Sequence, residues 1–243
     1  MKYQREQLSK PPLIEAMFEI RAACQTSINL IPGAISERLK ERFPLAESGG
    51  IVLDTDGSQL GIMQRFLNSE RTRLVQCGPE LFTVNVLGDY GEFPVFAAMI
   101  KEALSAFYAV AKPSKLRRLG IRYINLLPAD SVAEAGTTPL RIETSFPTDI
   151  LPSTRGIAIR SIFEFPKENG VLGLAVANPH QLTDGRRGCL LDLDFFVENP
   201  TFLAIDDCLP WAQQAHDVIY DAFRSVLRPE MYKQLGPTGK NHA

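Results

Sequence analysis

The sequence has few of the residues that most often carry out chemistry. Its 243 residues include four cysteines, three histidines and one tryptophan. The cysteines lie far apart, so no pair has the spacing of about two to four residues that a zinc site uses, and there is no disulfide-dense framework. We therefore expect buried, reduced thiols at Cys24, Cys77, Cys189 and Cys208.

Long hydrophobic runs and glycine-rich loops are also missing. No stretch approaches the ~18 apolar residues of a membrane span, and the start, MKYQREQLSKPP, lacks the apolar core of a signal peptide. Neither G-x-G-x-x-G nor G-x-x-x-x-G-K-[ST] occurs, and no serine stands in the context G-x-S-x-G. We therefore expect a cytoplasmic protein, and nucleophilic catalysis and the usual nucleotide-binding loops have no support.

The overall composition is that of a globular protein, with 45% hydrophobic and 22% charged residues and a formal net charge of -2. Because the net charge is slightly negative, we expect neither a nucleic acid nor a membrane surface as a partner. A local exception is the basic stretch KPSKLRRLGIR, which is a nucleic-acid alternative. It has no exposed aromatic residue beside it for base stacking, because Tyr123 is predicted to face the apolar side.

Hydrophobic periodicity and turn residues divide the chain into two similar halves. We predict a flexible segment over 1–12, a first half over 13–113, a second half over 114–236 and a tail over 237–243. The predicted strands of the first half are residues 13–22, GIVLDT, QLGIMQRF, RTRLVQC and LFTVNVL, and its helices are PGAISERLKERF and EFPVFAAMIKEALSAFYAVAK.

The second half repeats this order less completely. Its predicted strands are KLRRLGIRYINLL, GIAIRSIFEF, VLGLAVA and CLLDLDFFV, with one turn of helix near Pro147 to Leu151. Its long helix is LPWAQQAHDVIYDAFRSVL, with Pro210 at the first helical position. The sequence therefore predicts an α+β fold: a curved antiparallel sheet from two pseudo-repeated halves, with the long helices packed on one face.

Charged residues alternate along several of these strands, so they mark one polar sheet face. One interpretation is cross-strand ion pairing on a solvated surface. The other is a concave cleft in which arginines bind an anion and acids hold Mg²⁺. The anion-binding candidates are Arg118, Arg122 and Arg160, and the metal-binding candidates are Asp192, Asp194 and Glu19.

Two histidines and the tryptophan are further candidates. His180 lies in NPHQLTDGRRG, whose composition predicts a hairpin loop, and it is either solvated or part of a site. His216 lies beside the apolar stripe of the last helix, where it accepts a hydrogen bond from a sheet residue or acts as a base. Trp211 is either a core residue or the rim of a pocket between helix and sheet.

Four stretches together carry a family resemblance: PPLIEAMFEIR, LGIRYINLL, LDLDFF, and AHDVIYDAF with the closing Leu235-Gly236. They resemble an uncharacterised, sporadically distributed bacterial family of soluble proteins of about 250 residues, with no established activity. The resemblance spans nearly the whole chain. It implies a cytoplasmic single-chain protein and brings no catalytic residues.

By elimination we predict a non-enzymatic cytoplasmic binding module that uses the polar sheet face or the cleft beneath the helices. Its partner is an unknown ligand or protein, and a homo-oligomer stays open. The alternative is a metal-dependent enzyme on a phosphorylated or polyphosphate substrate, with Mg²⁺ as its cofactor. Triphosphate-tunnel enzymes have two acids and a base at alternate positions of their first strand, where this chain has Met17, Glu19 and Arg21.

Overall fold

The structure is a computed structural model that describes residues 3–53, 59–128, 139–142 and 156–241. Its strands are β1 (Glu6–Leu8), β2 (Leu13–Cys24), β3 (Leu45–Leu53), β4 (Gln59–Leu67), β5 (Arg73–Gly78), β6 (Leu81–Leu87), β7 (Pro113–Leu127), β8 (Ile157–Phe165), β9 (Gly170–Gln181), β10 (Arg187–Glu198) and β11 (Pro237–Asn241). Its helices are α1 (Ile31–Leu39), α2 (Phe93–Ala111), α3 (Ile205–Val226) and α4 (Pro229–Gln234).

Nine of these strands form one antiparallel sheet in the order β3-β4-β5-β6-β2-β7-β10-β9-β8. The longest strand, β7, lies between β2 and β10, with Ile121 opposite both Phe18 and Phe195. The prediction of an α+β fold with a mostly antiparallel sheet is therefore confirmed. The pseudo-repeat and the curvature stay predictions, and the turn of helix near Pro147 to Leu151 lies outside the described residues.

The core lies between one sheet face and the helices. Alternate residues of the central strands, such as Phe18, Ile121 and Leu193, are fully buried there. Helix α2 covers them with a stripe that includes Phe96 and Ile100, as the four-residue spacing predicted. Burying such side chains removes apolar surface from water, which is the main favourable contribution to folding.

Helix α2 is relevant to the prediction that no stretch of the chain resembles a membrane span. By length and composition Phe93–Ala111 is apolar enough to cross a membrane, with a mean hydropathy of 1.4, although no such run was recognised in the sequence. Nine of its residues are buried in the core described above. A core helix of a soluble protein passes the same test, so the run is weak evidence for a membrane segment.

Helix α3 begins five residues earlier than predicted, at Ile205, so Pro210 lies inside the helix. The first turn carries Asp206 and Asp207, which favour a helix N-terminus. The Tyr108 hydroxyl donates a hydrogen bond to the Leu203 carbonyl at 2.7 Å, just before the helix. Tertiary contacts and the helix dipole therefore outweigh the preference of proline for the first position.

The two ends of the chain pair with each other. Strands β1 and β11 form a separate antiparallel pair, which we call the terminal ribbon. Backbone hydrogen bonds extend it, from Ser9 to Gly236 and from Lys10 to Leu235. No local pattern indicated this pairing, which brings the predicted flexible segment and the predicted tail together.

Candidate functional site

The polar side chains of β2, β7 and β10 lie on the sheet face away from the helices, which we call the charged face. Arg118 is at its centre. Its Nη1 donates to Glu19 Oε1 at 2.5 Å, and its Nη2 donates to both carboxylate oxygens of Asp194 at 2.8 Å. The side chains of Arg118 and Glu19 are only 14% and 13% exposed, so the central ion pairs are largely withdrawn from water.

The position of Arg118 depends on what lies around it. A Cβ on Gly120, two residues along the strand, would lie 2.7 Å from Arg118 Nη1. On the neighbouring strand, the Phe196 ring lies beneath the guanidinium, with Cζ 4.5 Å from the ring centroid. Cation–π attraction to Phe196 helps to hold the guanidinium between the two carboxylates, and the absence of a side chain at Gly120 leaves space for it.

Arg122 makes the second ion pair of the charged face. Its Nε and Nη2 donate to the two oxygens of Asp192, at 2.8 and 2.6 Å. This bidentate geometry is the strong form of the arginine–carboxylate pair. The hydrogen bonds to Asp192 raise the pKa of Arg122, against the opposing effect of burial. Arg122 therefore remains charged at any ordinary pH.

A second hydrogen-bonded group lies on the charged face between β2 and β4. Asn85, which is fully buried, donates to Glu15 Oε1 at 2.7 Å and accepts from Thr83 at 2.6 Å. Gln76 donates to Thr83 at 3.2 Å and accepts from Arg65 at 3.0 Å. This group was not predicted, although Thr83 and Asn85 at alternate positions of an apolar strand were a signal for it.

The remaining candidate of this face does not join the others. Arg160 is exposed on β8, opposite Ala175, which in turn lies opposite Asp192. Strand β9 therefore separates Arg160 from the paired acids. It has no ion-pair partner in the part of the chain that the structure describes.

These contacts bear on the two site predictions for the charged face. Each candidate metal ligand accepts hydrogen bonds from an arginine, and each central arginine is bound by acids. Within residues 3–53, 59–128, 139–142 and 156–241, no group of three His, Cys, Asp or Glu side chains is arranged to hold a metal ion. An anion or Mg²⁺ would have to displace an existing partner, and both sites stay predictions.

A pocket of about 240 Å³ lies on the opposite side of the sheet. It is lined by β1 and the residues that follow it, by β7 and β10, by the segment before α2 and by the middle of α3. The walls are mostly apolar and aromatic, with Phe93, Leu193, Ile219 and Phe223 among them.

A chain of hydrogen bonds crosses one wall of the pocket. The hydroxyls of Tyr90 and Tyr123 lie 3.0 Å apart, and the Tyr123 hydroxyl lies 2.9 Å from His216 Nδ1. The Phe93 ring stacks on the imidazole, with centroids 4.3 Å apart. Burial raises the pKa of both tyrosines far above neutrality, so both keep their protons. The predicted hydrogen bond between His216 and a sheet residue is therefore present.

Arg5 is the buried cation of this pocket. Its side chain is 12% exposed and forms an ion pair with Asp217 on α3. Its Nε and Nη2 are both buried and make no hydrogen bond among the described residues, although Nη2 is the nitrogen in the ion pair with Asp217. Loss of hydration lowers the pKa of Arg5, which the neighbouring tyrosines and Asp221 partly oppose. A buried guanidinium nitrogen without an acceptor is costly, so this wall of the pocket is incompletely satisfied.

The terminal ribbon holds Arg5 in place. The Tyr220 hydroxyl donates to the Gln4 carbonyl at 3.0 Å and accepts from the Glu6 amide at 3.1 Å. Glu6 in turn accepts a hydrogen bond from Tyr232 at 2.8 Å. The first residues of the chain are therefore bound to α3 and α4 on both sides of Arg5.

The other candidates of the sequence lie elsewhere. His180 was predicted in a loop, but it lies in β9, half-buried and opposite Gly188, because the ladder with β10 extends past the cis bond between Asn178 and Pro179. Trp211 is buried and stacks on Phe195 at 6.0 Å, so it is a core residue. The four cysteines are free, and burial raises the pKa of all four thiols, that of Cys77 and Cys189 to about 12 and that of Cys208 to about 11.

Comparison with known proteins gives little. No protein-family model matches the chain, and no curated protein matches it. A solved structure of Methanococcus jannaschii TBP is 11% identical, with a TM-score of 0.25, over 88% of this chain and 98% of that one. The di-domain ARO/CYC StfQ from the steffimycin biosynthetic pathway is 12% identical, with a TM-score of 0.18, over 91% and 96%. Likenesses this low carry no argument, and the resemblance to a bacterial family stays a prediction.

Proposed function

We propose that this chain is a non-enzymatic cytoplasmic binding protein that holds a small ring-bearing molecule in the pocket between the sheet, α3 and the terminal ribbon. The observation that carries the proposal is an apolar, aromatic space of about 240 Å³ into which a few polar side chains converge. Small-molecule sites have this composition, with apolar walls for affinity and few polar groups for orientation.

The size of the pocket limits the ligand. Sites for drug-sized molecules measure ~300–1,000 Å³, so this pocket takes something more compact. The rings of Tyr90, Phe93 and Phe223 lie in its walls, and aromatic side chains favour offset or edge contacts with another ring. A one-ring or two-ring molecule therefore fits better than a long flexible chain.

The charged face supports binding less well. Its central arginines and acids already satisfy one another, so a ligand there would have to replace short, charge-assisted hydrogen bonds. In the pocket, by contrast, a ligand displaces water from apolar walls, which is favourable. The proposal therefore places binding beneath the helices.

Calorimetric titration with naphthamide, a neutral two-ring amide, tests the proposal. We expect heat of binding with the wild-type protein and none with Ile219→Trp, because the larger ring fills the pocket from α3. The matched control is Ile62→Trp, which adds the same indole at an exposed position of β4 and should bind like wild type.

Thermal unfolding of each variant shows whether the fold is kept. Leu13→Trp, from the other wall, replaces Ile219→Trp if that variant does not fold. No heat with the wild-type protein from either naphthamide or naphthoate, or equal heat with wild type and a folded pocket-filling variant, would overturn the proposal.

A further inference from the structure

We propose that the ligand of this pocket carries a carboxylate and that Arg5 binds it. The inference rests on the proposed function, since it names the chemistry of the ligand in the same pocket. It starts from the buried Arg5 Nε, which has no acceptor among the described residues.

Asp217 does not use the whole hydrogen-bonding capacity of Arg5. A guanidinium has five N–H donors in a fixed planar fork. Asp217 forms an ion pair with the terminal nitrogen Nη2, but Nη2, like Nε, makes no hydrogen bond among the described residues. Asp217 also accepts a hydrogen bond from Gln213 at 3.1 Å. An acceptor entering from the pocket would therefore complete the hydrogen bonding of Arg5 without removing Asp217.

The geometry of the missing acceptor points to a carboxylate. Planar oxygen pairs match the guanidinium fork, and hydrogen bonds between charged partners are about twice as strong as neutral ones. Arg5 has lost most of its hydration on burial, so an anion regains electrostatic energy that water supplied in the unfolded chain. A neutral amide or alcohol satisfies the N–H but not the charge.

The tyrosine chain beside Arg5 can adapt to an anion. When His216 Nδ1 donates to Tyr123, the Tyr123 proton points to Tyr90, and the Tyr90 hydroxyl is then the donor at the end of the chain. A carboxylate favours this direction because it only accepts. The same chain in the opposite direction ends in an acceptor and suits a neutral donor ligand.

Five of the described acidic residues lie in or near the pocket with Arg5: Glu6, Asp89, Glu92, Asp217 and Asp221. Asp221 accepts a hydrogen bond from the Tyr3 amide at 2.9 Å. Asp89 and Glu92 are exposed at the edge of the pocket, where water and salt screen their charges. Glu6 is engaged by Tyr232 at 2.8 Å. Asp217 opposes an incoming anion most directly because it is the ion-pair partner of Arg5.

Titration with naphthoate and naphthamide, which differ in charge but hardly in shape, tests the inference. We expect wild type to bind naphthoate about tenfold to a hundredfold more tightly than naphthamide, as charge-assisted hydrogen bonds imply. Arg5→Gln should weaken naphthoate binding far more than naphthamide binding and so remove this preference. Asp217→Asn should strengthen naphthoate binding because it removes a competing carboxylate and keeps Arg5.

The outcomes separate this inference from the proposed function. If neither probe binds wild type, the pocket is not a ligand site and both proposals fail. If both probes bind equally, with Arg5→Gln and Asp217→Asn without effect, the pocket is a site but the carboxylate inference is overturned. Thermal unfolding checks that Arg5→Gln is folded, and Asp217→Asn carries the test alone if it is not.

Discussion

The two faces of the sheet differ in how completely their polar groups are hydrogen-bonded. On the charged face, arginines, acids and amides bond to one another in separate groups that together extend from β4 to β10, and the central members are nearly buried. On the helix face, a pocket with mostly apolar walls lies beside a few polar groups, and Arg5 Nε lacks an acceptor in the described part of the chain. Polar groups that complete their hydrogen bonds with one another stabilise one arrangement of side chains. A buried donor without an acceptor beside a pocket can instead form its hydrogen bond with a ligand.

Replacing Arg118 with methionine should have the largest effect on this comparison. The change leaves Glu19 and Asp194 close together, largely buried and without their shared cation. Breaking a buried pair in this way costs about 3–5 kcal/mol of the free energy of unfolding, which urea denaturation measures.

The matched control for Arg118→Met is Arg160→Met on the same face. Arg160 is exposed and outside the network, so its replacement should change the free energy of unfolding by no more than about 0.5 kcal/mol. Equal losses for the two variants would show that the central ion pairs contribute no more than a surface charge.

Replacing Tyr123 with phenylalanine should have the next largest effect. The change removes the hydroxyl that joins Tyr90 to His216 and leaves two groups of the helix face short of a partner. We expect a loss of about 2 kcal/mol in the free energy of unfolding. Tyr90→Phe removes only the end of the chain and should cost less, so a larger loss for Tyr90→Phe than for Tyr123→Phe would contradict the proposed order of hydrogen bonds.

The charged face was easier to predict from sequence than the pocket, for a physical reason. Strand alternation has a period of two, so Glu19, Arg122 and Asp192 identified a polar face as soon as their strands were recognised. Which acid meets which arginine depends on strand order. That order places β2 and β10 on either side of β7, and nothing in the local sequence specifies it.

The pocket depends on contacts between distant parts of the chain. Arg5 stands in a segment that we predicted to be flexible, and it is positioned by β11 and by Tyr220, which local patterns do not reveal. Part of the site could nevertheless be predicted from the sequence. Tyr123 was predicted to lie on the apolar side of the sheet, where a buried hydroxyl needs a hydrogen-bond partner. His216, beside the apolar stripe of α3, was predicted to accept a hydrogen bond from a sheet residue.

Gly120→Ala should have a smaller effect, because it adds one methyl group to the charged face. The new Cβ would lie 2.7 Å from Arg118 Nη1, and Arg118 cannot move freely because two carboxylates and Phe196 hold it. We expect a loss of about 1 kcal/mol in the free energy of unfolding, at the low end for overpacking. Urea denaturation measures it.

Gly173→Ala is the control for Gly120→Ala, on the strand opposite Asp194. Its Cβ would lie 3.6 Å from the Asp194 carbonyl oxygen, an ordinary contact. The substitution should therefore be neutral or slightly stabilising, since alanine restricts the unfolded chain more than glycine does. A loss as large as that of Gly120→Ala would mean that the space above Gly120 is not what positions Arg118.

Asp194→Asn should have the smallest effect at neutral pH and a distinctive pH dependence. Burial raises the pKa of Asp194, with Glu19 adding to this effect and Arg118 opposing it. The pKa in the folded protein therefore lies above the unfolded value of ~3.9, and the carboxyl binds a proton more readily in the folded state. Its contribution to stability is fully present below ~3.9 and is lost as pH rises through the raised pKa. We expect Asp194→Asn to change the free energy of unfolding by less than about 1 kcal/mol at pH ~7, because asparagine keeps an acceptor oxygen for Arg118 and Glu19 remains its ion-pair partner. We also expect wild type to gain stability relative to the variant as pH falls toward ~4. Urea denaturation at a series of pH values measures the difference.

The contrary outcome is that wild type loses stability relative to Asp194→Asn on acidification. Attraction to Arg118 would then outweigh burial in setting the pKa of Asp194, and this ion pair would stabilise the charged face more than the partial dehydration of its carboxylates destabilises it.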